Sequence, residues 1–473
     1  MIDLKALARK ELIARGFDPA LPPAGEAQPA AGGDARDLRG LLWSSIDNKE
    51  SRDLDQVEVA EALPDGKVRV LVGIADVDAL VPRGSPLDLH AGQNTVTVYT
   101  GVATFPMLPE VLSTDRSSLN QDQDRLSLVI EFVVAGDGSI ASSAVYRALL
   151  RNKARLSYDD LAPFLDGKAP PPPAVAAVPG LPENLRLQDA AARKLLALRQ
   201  QHGALQLETI EAQTVAVDGR VVDVKLSAKS RSKELIEDFM IAANGVMAGF
   251  LEKNGRSSIR RVVKEPERWP RLVELARGFG ETLPPQPDGP ALAAFLIKRR
   301  AAAPERFADL SLSVVKLLGP GEYELKRAGV AAPGHFGLAV QDYTHSTAPN
   351  RRYADLVTQR LVKAALAGAP APYSDDELQA IAQRCTLKEG DARKVERFVR
   401  KAAAAILLQP RIGQTFDAIV TGASPKGVYV RLLAPPAEGR VIRGDKGLDV
   451  GAQVKVKLLT ADPIRGFIDF ERA

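Results

Sequence analysis

From Gly413 onward the chain changes texture, and this shift constrains the fold more than any other feature. Short β-rich segments at 416–421, 427–433, 453–459 and 466–470 are separated by Gly, Pro and Asp. Immediately before them, 375–408 reads as one long helical pattern. A helix of that kind cannot merge into such a tail, whose rhythm is that of a small five-strand barrel. The chain therefore divides into a larger body and a C-terminal barrel.

The larger body reads as mixed α/β. Leu4, Leu7, Ala8 and Leu12 recur at helical spacing, and a Pro/Gly/Ala stretch over 21–33 follows as a tether. Between 38 and 140, apolar runs at 68–75 and 126–134 are broken by Pro64-Asp65-Gly66 and Gly136-Asp137-Gly138, as strands joined by turns would be. The proline-rich stretch 166–182 reads as a surface loop, because proline disfavours helix interiors and central strands. Helical patterns follow at 189–202, 233–253, 292–303, 353–367 and 375–408. The expected organisation is an N-terminal helix and tether over 1–35, a main body over 36–409 and a barrel over 410–473.

Composition narrows the chemistry by exclusion. Hydrophobic residues at 45% and charged residues at 26% describe a chain that folds. Lys and Arg outnumber Asp and Glu by only 63 to 59, so overall charge names no polyanionic partner. Cys385 is the only cysteine, which excludes an intrachain disulfide and a thiolate zinc cage. The four histidines are scattered, leaving carboxylates as metal ligands. The apolar run 402–408 is far shorter than the roughly 18 residues of a membrane span, and the start lacks a signal pattern. A cytoplasmic monomer, with neither a membrane nor an obligate protein partner, is the default expectation.

Two segments carry chemistry. In the first, Asp47, Asp53, Asp55 and the neighbouring Gln56 lie within ten residues. On an extended chain Asp53 and Asp55 share a face, and Asp47 can return to them across a loop. Hard carboxylate oxygens suit Mg²⁺ or Mn²⁺, which keep waters and recruit phosphate. Alone, an Asp-x-Asp is more often a solvated turn. In the second segment, Arg351 and Arg352 follow a proline-containing turn at a helix start, where guanidinium forks and free N–H groups together read as a phosphate clamp. A solvated basic pair is the bland alternative, but acids and arginines together point to phosphoryl chemistry.

The run Tyr343-Thr344-His345-Ser346-Thr347-Ala348-Pro349-Asn350-Arg351-Arg352-Tyr353-Ala354-Asp355-Leu356 resembles the second motif of the ribonuclease II, or RNB, family, differing at Ser346, Ala348 and Asn350. Further resemblance at Ile74-Ala75-Asp76-Val77, Pro106 to Glu110, Met240 to Asn244 and His335 to Leu338 extends it over roughly 36–409. It implies a metal-dependent 3′ to 5′ exoribonuclease releasing nucleoside 5′-monophosphates from single-stranded RNA. Asp47, Asp53 and Asp55 occupy the first three acidic positions of the family's metal motif, Asp, five residues, then Asp-x-Asp-Asp. Gln56 stands at the fourth, with a neutral oxygen in place of a charge.

The same resemblance assigns Arg351 to the scissile phosphate, with Arg352 beside it. It gives Tyr99 the stacking position at the RNA 3′ end and Leu207 the place where some members carry a clamping phenylalanine. Glu237, with Asp238 beside it, and Glu396 match glutamates near the RNA end; each could equally be a solvated helix carboxylate. Residues 384–401 carry seven basic and three acidic side chains, a face that is usually just solvated but in a nuclease could line an RNA channel. The C-terminal segment resembles an S1 domain, an OB-type RNA-binding barrel, with Phe416, Tyr429 and Phe467 as possible stacking residues. The cold-shock domains common in the family are not expected in the 35 residues ahead of the body. A binding protein or regulator with an impaired nuclease site is the competing reading, and Gln56 is what favours it. A phosphatase or other phosphodiesterase is more distant.

Overall fold

The turn at Pro64-Asp65-Gly66 takes the left-handed backbone that aspartate and glycine tolerate, with φ of 69° at Asp65 and 70° at Gly66. It joins the strands Gln56–Ala62 and Val68–Ala75, which lie within a seven-stranded sheet. In spatial order the sheet runs Arg36–Asp37, Ile140–Arg151, Asp124–Val134, Val68–Ala75, Gln56–Ala62, Ser44–Asp47 and Ala154–Ser157. The two outermost pairings are parallel and the others antiparallel. The computed structural model describes residues 2–25, 34–208, 211–217, 220–227, 229–424, 427–448 and 450–473.

The helices Leu181–Gln201 and Arg231–Lys253 cover one face of this sheet, where Phe239 meets Phe132 edge-on at 6.2 Å. At the neighbouring hairpin, on the same end of the sheet, a glycine is obligatory: a Cβ on Gly138 would sit 2.2 Å from the Lys194 carbonyl oxygen. One contiguous core joins sheet and helices, from Trp43 and Val72 to Leu235, Leu356 and Cys385. Among the described residues no helix is long and apolar enough to cross a membrane.

The proline-rich stretch departs in part from the expected loop. Residues Pro173–Ala176 form one helical turn, and Leu181 and Pro182 open the long helix that the pattern started at 189. Proline is compatible with a first turn, where its missing N–H has no partner to lose. Nor is the region 38–140 strands alone, since Pro86–Asn94 is a helix with Ser85 as its N-cap. A satellite core of short helices, including Trp269–Gly278 and Pro304–Leu318, gathers around Trp269, Phe295 and Phe307.

The long helix Asp375–Leu408 begins in a capping box between Ser374 and Glu377 and buries Ala392, Val395, Val399 and Ala402. Its last turn enters the barrel, whose core includes Ala404, Ala405 and Leu408 beside Phe416, Val456 and Phe470. The barrel closes in the order Thr415–Ser424, Gly427–Leu432, Glu438–Arg443, Phe467–Arg472, Gln453–Asp462. Its third strand, Glu438–Arg443, gave no apolar signal because one of its two inward positions is Gly439, packed against the Phe470 ring.

Arg431 on the barrel pairs with Asp309 of the body at 2.7 Å, both nearly buried. Asp309→Ala leaves that guanidinium uncompensated, which is expected to cost about 1.5 kcal/mol, between the exposed and the fully buried regimes. Limited proteolysis at the junction should accelerate accordingly, and an unchanged rate would show that the pair does not hold the barrel.

Candidate active site

Asp47 ends the strand Ser44–Asp47, and Asp53 and Asp55 lie in the loop leading into the strand Gln56–Ala62. Asp53 and Asp55 thus precede the ladder of the strand rather than belonging to it. The loop is pinned: Ser118 Oγ donates to the Arg52 carbonyl at 2.9 Å and accepts the Leu54 N–H at 3.0 Å. The Asp55 carbonyl accepts the Ala75 N–H at 3.0 Å.

The second segment meets this loop across nearly 300 residues of sequence. Asp55 Oδ1 accepts the Asn350 N–H at 3.1 Å, and its Oδ2 accepts Arg351 Nε at 3.2 Å. Asp53 accepts the Tyr99 hydroxyl at 2.9 Å, and the Tyr99 N–H donates to Glu396 at 3.3 Å. Asp53, Asp55, Tyr99, Arg351 and Glu396 are thus drawn together. Tyr99, on the two-residue strand Val98–Tyr99, is 43% exposed, so its ring is open to a ligand rather than part of the core.

Asp55 is 1% exposed, and that burial pushes its carboxyl up to about 7, with Arg351 pulling it down and Asp53 adding to the rise. Burial also raises Asp47, against the Asn48 N–H and Arg351, and Asp53 raises it further. The acids therefore share one field with a surplus of negative charge. Among the described residues, however, no group of three or more His, Cys, Asp or Glu side chains forms a ready cage for a metal ion. Hard oxygens in surplus, without a closed cage, fit a cation such as Mg²⁺ that keeps much of its own hydration. Asp47, Asp53 and Asp55 would hold it, with Gln56, 9% exposed at the start of its strand, as a neutral neighbour.

The two adjacent arginines do not act as a pair. Arg352 turns back onto Asp355, with contacts of 2.9 and 2.7 Å, and Asp355 also accepts the Ala348 N–H at 2.8 Å. Arg352 thereby builds the turn, while Arg351 spends only its Nε on Asp55 and keeps a 43% exposed side chain. The rest of the motif is also architecture. Thr344 donates to the Ile259 carbonyl at 2.7 Å, Ser346 to Asn244 at 2.8 Å, and His345 meets the Tyr323 hydroxyl at 2.7 Å. Burial holds His345 well below the usual histidine range, so it is neutral.

Other expected residues lie apart from this centre. Glu237 is exposed and paired with Lys229 at 3.0 Å, whereas Asp238 is buried against Arg199 and Arg231. Leu207 packs on the Trp269 core rather than on the core behind Tyr99. On the barrel Phe416 is buried, while Tyr429 and Phe467 are 37% and 57% exposed. Glu58 stands one strand-period beyond Gln56, the position from which a substitute acid could reach the centre. It is fully buried, both its carboxylate oxygens lack a partner among the described residues, and burial and then Asp47 push it well above the usual carboxylate range.

Comparison with known proteins bears on the family and the fold. A family profile described as RNB domain matches residues 35–368, and one described as RNase II-type exonuclease C-terminal S1 domain matches 414–473. Ribonuclease R 1 of Lactococcus lactis is 28% identical over 466 residues, covering 92% of this chain and 56% of the relative. Ribonuclease R of Aquifex aeolicus is 28% identical, covering 92% and 64%. The chain thus spans about three fifths of the length of these relatives. In fold, it resembles the Mycoplasma genitalium RNase R structure in complex with ribose-methylated single-stranded RNA, with a TM-score of 0.88, 22% identity, and coverage of 100% of this chain and 78% of that one.

Proposed function

We propose, from the premise that this chain belongs to the RNB domain family, that it is a metal-dependent exoribonuclease. It shortens single-stranded RNA from the 3′ end and releases nucleoside 5′-monophosphates. The observation that carries this reading is the meeting of Asp55 with Arg351 beside the Tyr99–Asp53 contact. It sets an arginine, a surplus of carboxylates and an exposed aromatic face at one place.

Each group has a separable task. Bound Mg²⁺ or Mn²⁺ would supply charge neutralisation and an activated water. Asp47, Asp53 and Asp55 would hold the ion. Asp55 also orients Arg351 through Nε, which aims the terminal nitrogens outward to meet a phosphate where charge develops. The Tyr99 ring offers a base a π-face without reading its identity, and its hydroxyl bond to Asp53 fixes the ring relative to the acids. Glu396 steadies the ribbon from behind through the Tyr99 N–H. The exposed Tyr429 and Phe467 give the barrel two stacking positions for RNA upstream. A cytoplasmic location and a monomeric state belong to the same proposal, and light scattering on the purified chain checks the latter.

The test is incubation with 5′-labelled single-stranded RNA in Mg²⁺, in Mn²⁺ and in chelator. A ladder shortening from the 3′ end, abolished by chelation, is the expected result. Retarded but intact RNA in every condition would favour the second reading, an RNA-binding protein with an impaired centre, for which Gln56 is the specific observation. A related prediction concerns Gln56→Asp. Carboxylate charge is a main control on affinity for hard divalent ions, so this variant is expected to lower the Mg²⁺ needed for half-maximal activity by about threefold. An unchanged or raised requirement in metal titrations would mean that the centre does not lack an anionic ligand.

A further inference from the structure

The helix Pro86–Asn94 ends where glycine or asparagine would be usual, yet Thr95 stands there with φ of 61°. A β-branched residue in the left-handed region is strained and stays there only when its surroundings hold it. Thr95 is 1% exposed, and its buried hydroxyl has no partner among the described residues. Its N–H closes the helix end on the Ala91 carbonyl at 2.7 Å, but its side chain gains no hydrogen bond among the described residues in return for the strain.

The restraints come from both sides. Asn94 forms a two-point clamp on the backbone of Asp18: its Oδ1 accepts the Asp18 N–H at 2.9 Å and its Nδ2 donates to the Asp18 carbonyl at 2.7 Å. Asp18 follows the helix Leu4–Ala14, whose Leu12, together with Phe17, packs with Val98, Val395 and Val399. On the other side the Thr95 carbonyl accepts the Tyr353 N–H at 2.8 Å, and the Thr97 N–H donates to the Arg351 carbonyl at 3.0 Å. Tyr99 follows two residues later, bonded to Asp53 and Glu396. A small cavity lined by Leu12, Phe17, Asn94, Val96, Val98 and Phe105 lies beside this packing.

We infer that Asn94 is a positioning residue for the RNA 3′ end: its clamp on Asp18 holds the strained turn at Thr95, and the turn sets Tyr99 and Arg351 in one register. The inference rests on the exoribonuclease reading for the identity of the ligand, but its geometry is separate from that of the metal centre. Asn94 touches none of the reacting groups. The N-terminal helix thereby acts as a brace on the grip.

The test uses the full chain and a ribose-methylated single-stranded RNA ending in 2-aminopurine, whose fluorescence falls when the terminal base stacks. Asn94→Ala is expected to lose about half of that quenching, measured well below its melting temperature. On cleavable RNA its kcat should fall about tenfold while KM stays within about threefold. Thr95→Gly is expected to raise the melting temperature, because glycine adopts the turn without strain. For the same reason Asn94→Ala/Thr95→Gly should recover most of the quenching.

A purely structural role would lower the melting temperature of Asn94→Ala and leave its quenching at the parent level. That result overturns the inference, as does a double variant no better than Asn94→Ala. If the parent quenches but does not cleave, the exoribonuclease reading fails and the quenching series alone decides the role of Asn94. If it does neither, both fail.

Discussion

Replacing Arg351 with alanine is expected to lower RNA cleavage by about 10²- to 10³-fold, which corresponds to roughly 3 kcal/mol of lost transition-state stabilisation. The Nε contact with Asp55 at 3.2 Å holds the guanidinium at the acids while its side chain remains 43% exposed. It is therefore placed to answer charge that grows on a phosphate oxygen during reaction. Affinity for RNA should change by no more than about fivefold, because one phosphate contact among many is removed. Arg351→Lys keeps the charge but loses the fork and should fall between alanine and the parent. Single-turnover cleavage and equilibrium binding on the same RNA separate the two effects. Comparable turnover in Arg351→Ala and the parent would remove Arg351 from the chemistry. Arg352 provides the contrast. Its partner Asp355 also holds the Ala348 N–H, so Arg352→Ala should reduce stability rather than act on the chemical step alone.

Much of this centre was legible in the sequence because its residues fall in two short runs of unusual composition. The spacing of Asp47, Asp53 and Asp55 and the sequence around Arg351 are local facts, and the fold brings these two runs together. What the sequence did not reveal are relations between distant segments. That Arg352 turns inward follows from Asp355, three residues on, which also reads as an ordinary first-turn helix acid. That the Tyr99 N–H meets Glu396, and that Val98 beside it packs with Leu12 of the N-terminal helix, depends on contacts between segments far apart in the sequence. The same distinction holds for the fold. The long helix Asp375–Leu408 was read to its last residue because its apolar stripe and its start signal agree. The barrel strand Glu438–Arg443 was missed because an inward glycine adds nothing to an apolar pattern. The strain at Thr95 had no signal at all, since a β-branched residue is not expected at a left-handed helix end.

Glu58→Leu is expected to stabilise the protein by about 3 kcal/mol, the sum of removing a buried unsatisfied acid and adding apolar contact. Glu58 lies opposite Ser44 on one neighbouring strand and Val72 on the other, with no exposed surface. Its carboxylate oxygens, like Ser44 Oγ, have no hydrogen-bond partner among the described residues. Leucine has similar volume and suits a site beside Val72. For a body of this size the melting temperature should rise by about 4 °C. Glu58 and Gln56 share a face of the strand two residues apart, which makes the variant informative about the proposed metal centre as well. A carboxylate that merely burdens the core can be removed without effect on Mn²⁺ affinity, measured by paramagnetic resonance on RNA-free protein. If Mn²⁺ binding weakens and the melting temperature does not rise, Glu58 supplies the charge that Gln56 lacks. The acid would then have been relocated along the strand rather than lost, and Gln56→Asp/Glu58→Leu should restore Mn²⁺ affinity where Glu58→Leu alone does not.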